Sequence, residues 1–202
     1  MYNSIDRGDL AVTRKDLLRK DGWRQEKTAP RQGFHTKGKS IYERPAAAND
    51  RSEAGHWEGD LIVGKKGTKA ALFTLTDRKT KEEIIVKLPD KTQASVIAAV
   101  LRLKAGNRRA SVPCFKSVTF DNGSEFLNFE ELEKAFGCNV FYAHPYSSWE
   151  RGTNENSNGI IRRFFPKGTD FSKVSTRRIA AVQNWMNNYP RKILGGKTPL
   201  AA

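Results

Sequence analysis

The chain has 202 residues, 38% hydrophobic and 10% aromatic, which is enough to bury one good core without covalent staples. Its 36 Lys and Arg against 22 Asp and Glu leave a formal net charge of +14, which points to a polyanionic partner held through its phosphates. The two cysteines, Cys114 and Cys138, form no CxxC or Cys/His pattern, and there is neither a signal peptide nor a run of 18 apolar residues. A disulfide framework, a structural zinc site and a membrane location are therefore not expected, and a reducing cytoplasm is.

Residues 1–54 differ in texture from the rest. They are rich in Lys, Arg, Gly, Asp and Ala, with few large apolar residues, and read as a basic arm or linker with a short helix near Val12 to Leu18. The folded domain is expected over 55–202. HWEGDLIV, KAALFTLTDRKT and EEIIVKLP are three strand-like runs with short polar connections, hence an antiparallel meander. DKTQASVIAAVLRLKAG reads as an amphipathic helix closed by Gly106, and FKSVTF as a fourth strand. Asn128 can cap a second helix that Gly137 stops, and CNVFYAH is a fifth strand. Two helices follow, near Asn154 to Phe165 and Ser175 to Tyr189. The order β-β-β-α-β-α-β-α-α puts crossover helices after the third and fourth strands, so the later strands run parallel to the first in a five-stranded mixed sheet. That is an α/β, RNase-H-like order, in which the first and fourth strands are neighbours.

Those two strands carry acids. Asp60 lies within the first, in an apolar setting where a carboxylate is costly unless paired or metal-bound. In TFDNGSEF, Asp121 stands at a strand end and Asn122 and Gly123 turn the chain. Glu155, in ERGTNENSNGIIRRFFPKG, opens a helix. Each alone has an ordinary reading: a solvent-facing strand acid, a turn acid, and a helix acid favoured by the dipole. Together, on three separate elements, they can converge into the oxygen cage that a hard divalent cation requires. Glu58, two residues before Asp60, shares its face of the strand and is a reserve acid.

GHWEGDLIVG, TFDNGSEF and PYSSWERGTNENSNGIIRRFFPKGTDF resemble the catalytic-domain motifs of the IS30 family of bacterial insertion-sequence transposases, part of the DDE transposase and retroviral-integrase superfamily. The resemblance runs from about Ile41 to the C-terminus. It implies an RNase-H-like integrase core with Asp60, Asp121 and Glu155 as a catalytic triad holding two Mg²⁺ or Mn²⁺ ions. It also implies cleavage of double-stranded DNA at element ends, transfer of the freed 3′-OH to target DNA, and a homodimer or higher multimer on DNA. Arg151, Asn156, Asn158, Arg162, Arg163 and Lys167 are the candidate DNA contacts, while Asn122 and Asn154 are candidates for orienting water. Tyr146 and Trp149 could stack on an unpaired base, and His56 and His144 are expected to pack or hydrogen-bond.

The sequence departs from the family pattern in having only a stub where a helix-turn-helix region is usual, Ser148 where proline is common, and NNYPRK at Asn187 to Lys192. The expectation is a truncated transposase, competent in chemistry and handicapped in recognising its own ends. The competing readings are an RNase-H-like nuclease without strand transfer and a non-catalytic DNA-binding remnant.

Overall fold

The computed structural model describes residues 38–106, 114–144 and 147–202, the side chains of Ser148 and Trp149 excepted. Strand β1 (Lys39–Ser40) is followed by a short helix α1 (Ala46–Asn49), then by β2 (His56–Val63), β3 (Ala71–Asp77) and β4 (Glu83–Leu88). Helix α2 (Gln93–Ala105), β5 (Ser117–Phe120), α3 (Phe129–Phe136), β6 (Asn139–Tyr142), α4 (Gly152–Phe164) and α5 (Thr176–Asn188) complete the order. The sheet has six strands, ordered β1-β6-β5-β2-β3-β4. The three long strands form the expected antiparallel meander, and β5 and β6 add parallel to β2 and to each other.

The sixth strand corrects the expected count of five. Lys39 and Ser40 pair in parallel with Phe141 and Tyr142 of β6. Behind them Ile41 and Ala48 are buried, so residues 39–49 belong to the folded domain rather than to an arm reaching residue 54. Two residues are too short a run to carry a strand signature of their own; the open edge of β6 supplies it. The helix expected near Val12 to Leu18 lies outside the described residues.

Local rules set the helix ends. Thr92, Asn128 and Ser175 each accept a hydrogen bond from the backbone N–H three residues on, satisfying one orphan donor of α2, α3 and α5. Gly137 closes α3 in the left-handed region, at φ 72°. The alternation of β2 divides the packing. Trp57 and Leu61 face α2 and α3 together with Phe73, Leu75, Val118, Phe120 and Val140. Ile62 faces α4 and α5 together with Leu72, Ile85, Ile161, Phe165 and Met186. Gly59 is required by a close approach, since a Cβ there would run into the Phe120 ring on β5. Both cysteines are free thiols. Among the described residues, no helix is long and apolar enough to cross a membrane.

Candidate active site

The β2–β5 pairing sets Glu58 opposite Thr119, so Asp60 and Asp121, each two residues further on, arrive side by side on neighbouring parallel strands. The Asp121 side chain closes its own turn, accepting from Gly123 N at 3.1 Å. Asn122 donates to Ala143 O at 2.9 Å, tying the turn to the chain beyond β6. Asp60 accepts from Leu61 N at 2.8 Å and from Asn158 Nδ2 on α4 at 2.6 Å. Glu155 is in the first turn of α4. A cleft of about 380 Å³ is lined by Asp60, Asp121, His144, Arg151, Asn154 and Glu155.

Arg151 sits between the two aspartates. Its Nη1 lies 3.0 Å from Asp121 Oδ2 and its Nη2 3.7 Å from Asp60 Oδ1, while Nη2 also donates to Gly59 O at 2.5 Å. Only 8% of Arg151 is exposed, so in this structure the side chain expected on a basic border stands as an internal counter-ion. Burial raises the Asp60 carboxyl above its ordinary range; Arg151 opposes the rise and the neighbouring Asp121 charge adds to it.

A buried polar layer beneath the cleft holds α4 in place. Glu58 is fully buried, pairs with Arg78, and accepts from Asn154 N at 3.1 Å, so a sheet carboxylate caps the helix that bears Glu155. In the amide orientation that satisfies its neighbours, Asn154 donates to Glu58 O and Thr76 Oγ1 and accepts from Arg151 Nη2 at 2.8 Å. Arg78 donates to Ala48 O at 2.6 Å, and Arg44 to Thr119 Oγ1 at 3.3 Å. Burial, with Arg78 nearby, brings the Arg44 guanidinium down to about 10. Glu83, bonded by Thr76 Oγ1 at 2.7 Å, is pushed up to about 8 by burial.

The three expected acids thus share one cleft, but only two of them share a cation. The donor chemistry fits a hard divalent ion at Asp60 and Asp121, which already hold a guanidinium between their oxygens. Glu155 is exposed at the rim, and among the described residues no three His, Cys, Asp or Glu side chains are close enough to hold one ion. Asn158 touches Asp60, and Asn154 lies in the layer below. Asn156 is exposed on the flank of α4 away from the cleft, lining a second, smaller pocket. Arg162 is half-buried and donates to Val63 O at 2.8 Å, while Arg163 and Lys167 are exposed. His56 is buried against Ser117 Oγ at 2.7 Å. His144 faces the cleft and contacts Glu150 at 2.9 Å. Tyr146 and the Trp149 side chain lie outside the described residues.

Sequence reasoning missed the partnership of Glu58 with Arg78 and the cap on α4. Strand alternation put Glu58 on the Asp60 face, but no spacing rule names a partner 20 residues away on another strand's end.

Residues 50–148 match the integrase core domain family. The transposase of insertion sequence IS1086 from Cupriavidus metallidurans is 38% identical over 99% of this chain and 60% of its own length. The InsI transposase of IS30A from Escherichia coli is 40% identical over 80% of this chain and 41% of its own. The chain therefore spans about half the length of these curated relatives. Among solved structures, the HTLV-2 integrase catalytic core domain in complex with magnesium shares the fold at TM-score 0.53 and 20% identity, over 72% of this chain and 93% of that one. A simian T-cell lymphotropic virus intasome chain does so at TM-score 0.56 and 18% identity, over 72% and 52%. The chain thus carries a match to the integrase core domain family over residues 50–148 and is similar over most of its length to the transposases of IS30-type insertion sequences.

Proposed function

We propose that this chain is the catalytic core of a DNA transposase, which cleaves a phosphodiester at an element end and joins the freed 3′-OH to target DNA. The observation that carries the reading is the pair Asp60 and Asp121, side by side on parallel strands and sharing one cation, with Glu155 on the wall of the same cleft.

In this reading Asp60 and Asp121 would hold Mg²⁺ or Mn²⁺, two ions when Glu155 moves in from the rim of the same cleft to complete the set. Bound there, divalent cations stabilise the attacking and leaving oxygens of an in-line displacement at phosphorus. The protein's own part is positioning. Asn158 fixes the rotamer of Asp60, and Glu58 anchors the helix turn that presents Glu155. Arg151 neutralises the aspartate pair and, when a cation takes that place, is free to turn toward a substrate phosphate. Arg162, Arg163 and Lys167 supply a basic flank for the DNA backbone. Double-stranded DNA is the proposed partner, with the chain acting as a dimer or higher multimer that bridges two ends.

The test is divalent-dependent cleavage and joining of an oligonucleotide duplex and a supercoiled plasmid, comparing wild type with Asp60→Asn, Asp121→Asn and Glu155→Gln. Loss of at least about a thousandfold in each variant, with joined products from wild type, is expected. Cleavage without joining would reassign the chain as a nuclease. Metal-independent cleavage, or activity surviving in all three variants, would overturn the proposal.

A further inference from the structure

A second pocket, of about 120 Å³, opens on the other side of the first turn of α4. The turn divides the two cavities: Arg151, Asn154 and Glu155 line the cleft, whereas Gly152, Thr153 and Asn156 line this pocket. Three cations converge on it from separate elements: Arg51 ahead of β2, Lys81 in the β3–β4 turn, and Arg191 beyond α5. Among the described residues, no acidic one lines it.

Two residues of the lining carry a buried polar atom that no described residue meets. Thr153, a residue of the pocket wall, is 8% exposed, and its Oγ1 has no hydrogen-bond partner among the described residues. A buried hydroxyl without a partner is costly unless a water or an ion meets it. Arg191 likewise has an Nε without a partner among the described residues, its Nη2 being used on Met186 O at 3.2 Å. Burial first, and Arg51 next, bring the Lys81 ammonium down to about 8, against the opposing pull of the Glu58 and Asp77 carboxylates. Arg51 and Lys81 are also the two non-glycine residues with positive φ among the described residues, at 60° and 63°. Two backbones in the left-handed region thus deliver their side chains to one place.

We infer that this pocket binds a backbone phosphate of the DNA strand whose neighbouring segment lies in the catalytic cleft, with Arg51, Arg191 and Thr153 as its ligands and Lys81 as the further charge. The inference rests on the proposed function. Its chemistry is that of a phosphate oxyanion: a concave site, two guanidiniums able to fork onto oxygens, a neutral hydroxyl donor, and the positive end of a helix. A strand engaged there and in the cleft straddles the α4 turn that carries Glu155, so the contact would set the register of the strand over the acids.

The experiment reads binding and needs no turnover. Inorganic phosphate titrated into the full chain, against chloride at equal ionic strength, should shift the backbone amide resonances of Gly152, Thr153 and Asn156, and Arg51→Gln should abolish the shift. DNA affinity is then measured across salt concentrations. Arg51→Gln and Arg191→Gln should each lower the slope of log K against log salt by about 0.9, the value of one phosphate contact. Thr153→Val, which keeps the side-chain shape, should weaken DNA binding several-fold with the slope unchanged. Wild-type affinity and slope in all three variants would overturn the site, and phosphate-induced shifts accompanying that result would assign the pocket to a free anion instead of DNA. Failure of wild type to cleave DNA would count against the proposed function and leave these binding results to decide the pocket alone.

Discussion

The two faces of the sheet are built on opposite principles. Against α2 and α3 the packing is apolar and aromatic: Phe120 stacks on Phe126 with ring centroids 4.2 Å apart, and Phe136 meets Phe115 edge-on at 5.0 Å. The Tyr142 hydroxyl there is satisfied by Phe126 O. Against α4 and α5 an apolar patch around Leu72, Ile161 and Phe165 gives way to Glu58, Thr76, Thr119 and Glu83, all buried and polar. Removing charge from water costs more than the pairing returns in many proteins, so this face contributes less stability per residue buried. What it contributes is direction. Apolar contacts are non-directional, whereas the Glu58 bonds to Arg78 and Asn154 fix the rotation and depth of one helix turn. The lesson is that the α2–α3 face holds the sheet together and the α4–α5 face aims it.

Four substitutions test that division. Phe136→Ala should be the most damaging to stability, by about 3–5 kcal/mol in urea unfolding, with cleavage per folded molecule close to wild type. A large drop in that specific activity would mean that the apolar face also shapes the site. Glu58→Gln leaves Arg78 buried without its counter-charge and should cost about 3 kcal/mol. Unlike Phe136→Ala, it should also lower cleavage by the folded fraction, because the α4 turn loses its anchor. Equal specific activity in the two variants would erase the distinction between the faces.

Glu83 gives a pH signature to the same face. Its folded pKa is raised from 4.5 to about 8, so between those values the folded state keeps a proton that the unfolded chain has released. Stability should therefore fall as pH rises across that window, and Glu83→Gln, which mimics the protonated acid, should flatten the fall. An unaltered slope in thermal melts between pH 5 and 8 would show that Glu83 ionises normally. Asn158→Ala should have the smallest effect on stability, about 1 kcal/mol or less, yet reduce cleavage about tenfold or more through a loosened Asp60. Cleavage equal to wild type would remove Asn158 from the positioning of that acid.

Much of this architecture was legible along the chain. HWEGDLIV became β2 residue for residue, and Asn128 and Gly137 bound α3 as cap and stop. These features depend on period-2 alternation and on side chains bonding within a few residues of themselves. The neighbouring placement of Asp60 and Asp121 also followed, because a crossover helix fixes which strands run parallel. The two-residue strand Lys39–Ser40 could not be read, since its partner is a hundred residues away on β6. Arg151 was legible as a cation and illegible as the counter-ion between the aspartates, because its reach across β2 depends on how α4 docks.

By itself, then, the sequence determined the elements, their order, the strands that carry the acids and the positive charge that suits a phosphate backbone, since each is a matter of local periodicity, capping or composition. The tertiary structure alone decided which charges meet. Glu58 met Arg78 and the first turn of α4, Arg151 turned inward, and Asn156 lined a second pocket while Asn158 met Asp60. Electrostatic partners separated by tens of residues are chosen by the docking of whole elements, and the free energy of a buried charge depends on the few ångströms that docking sets.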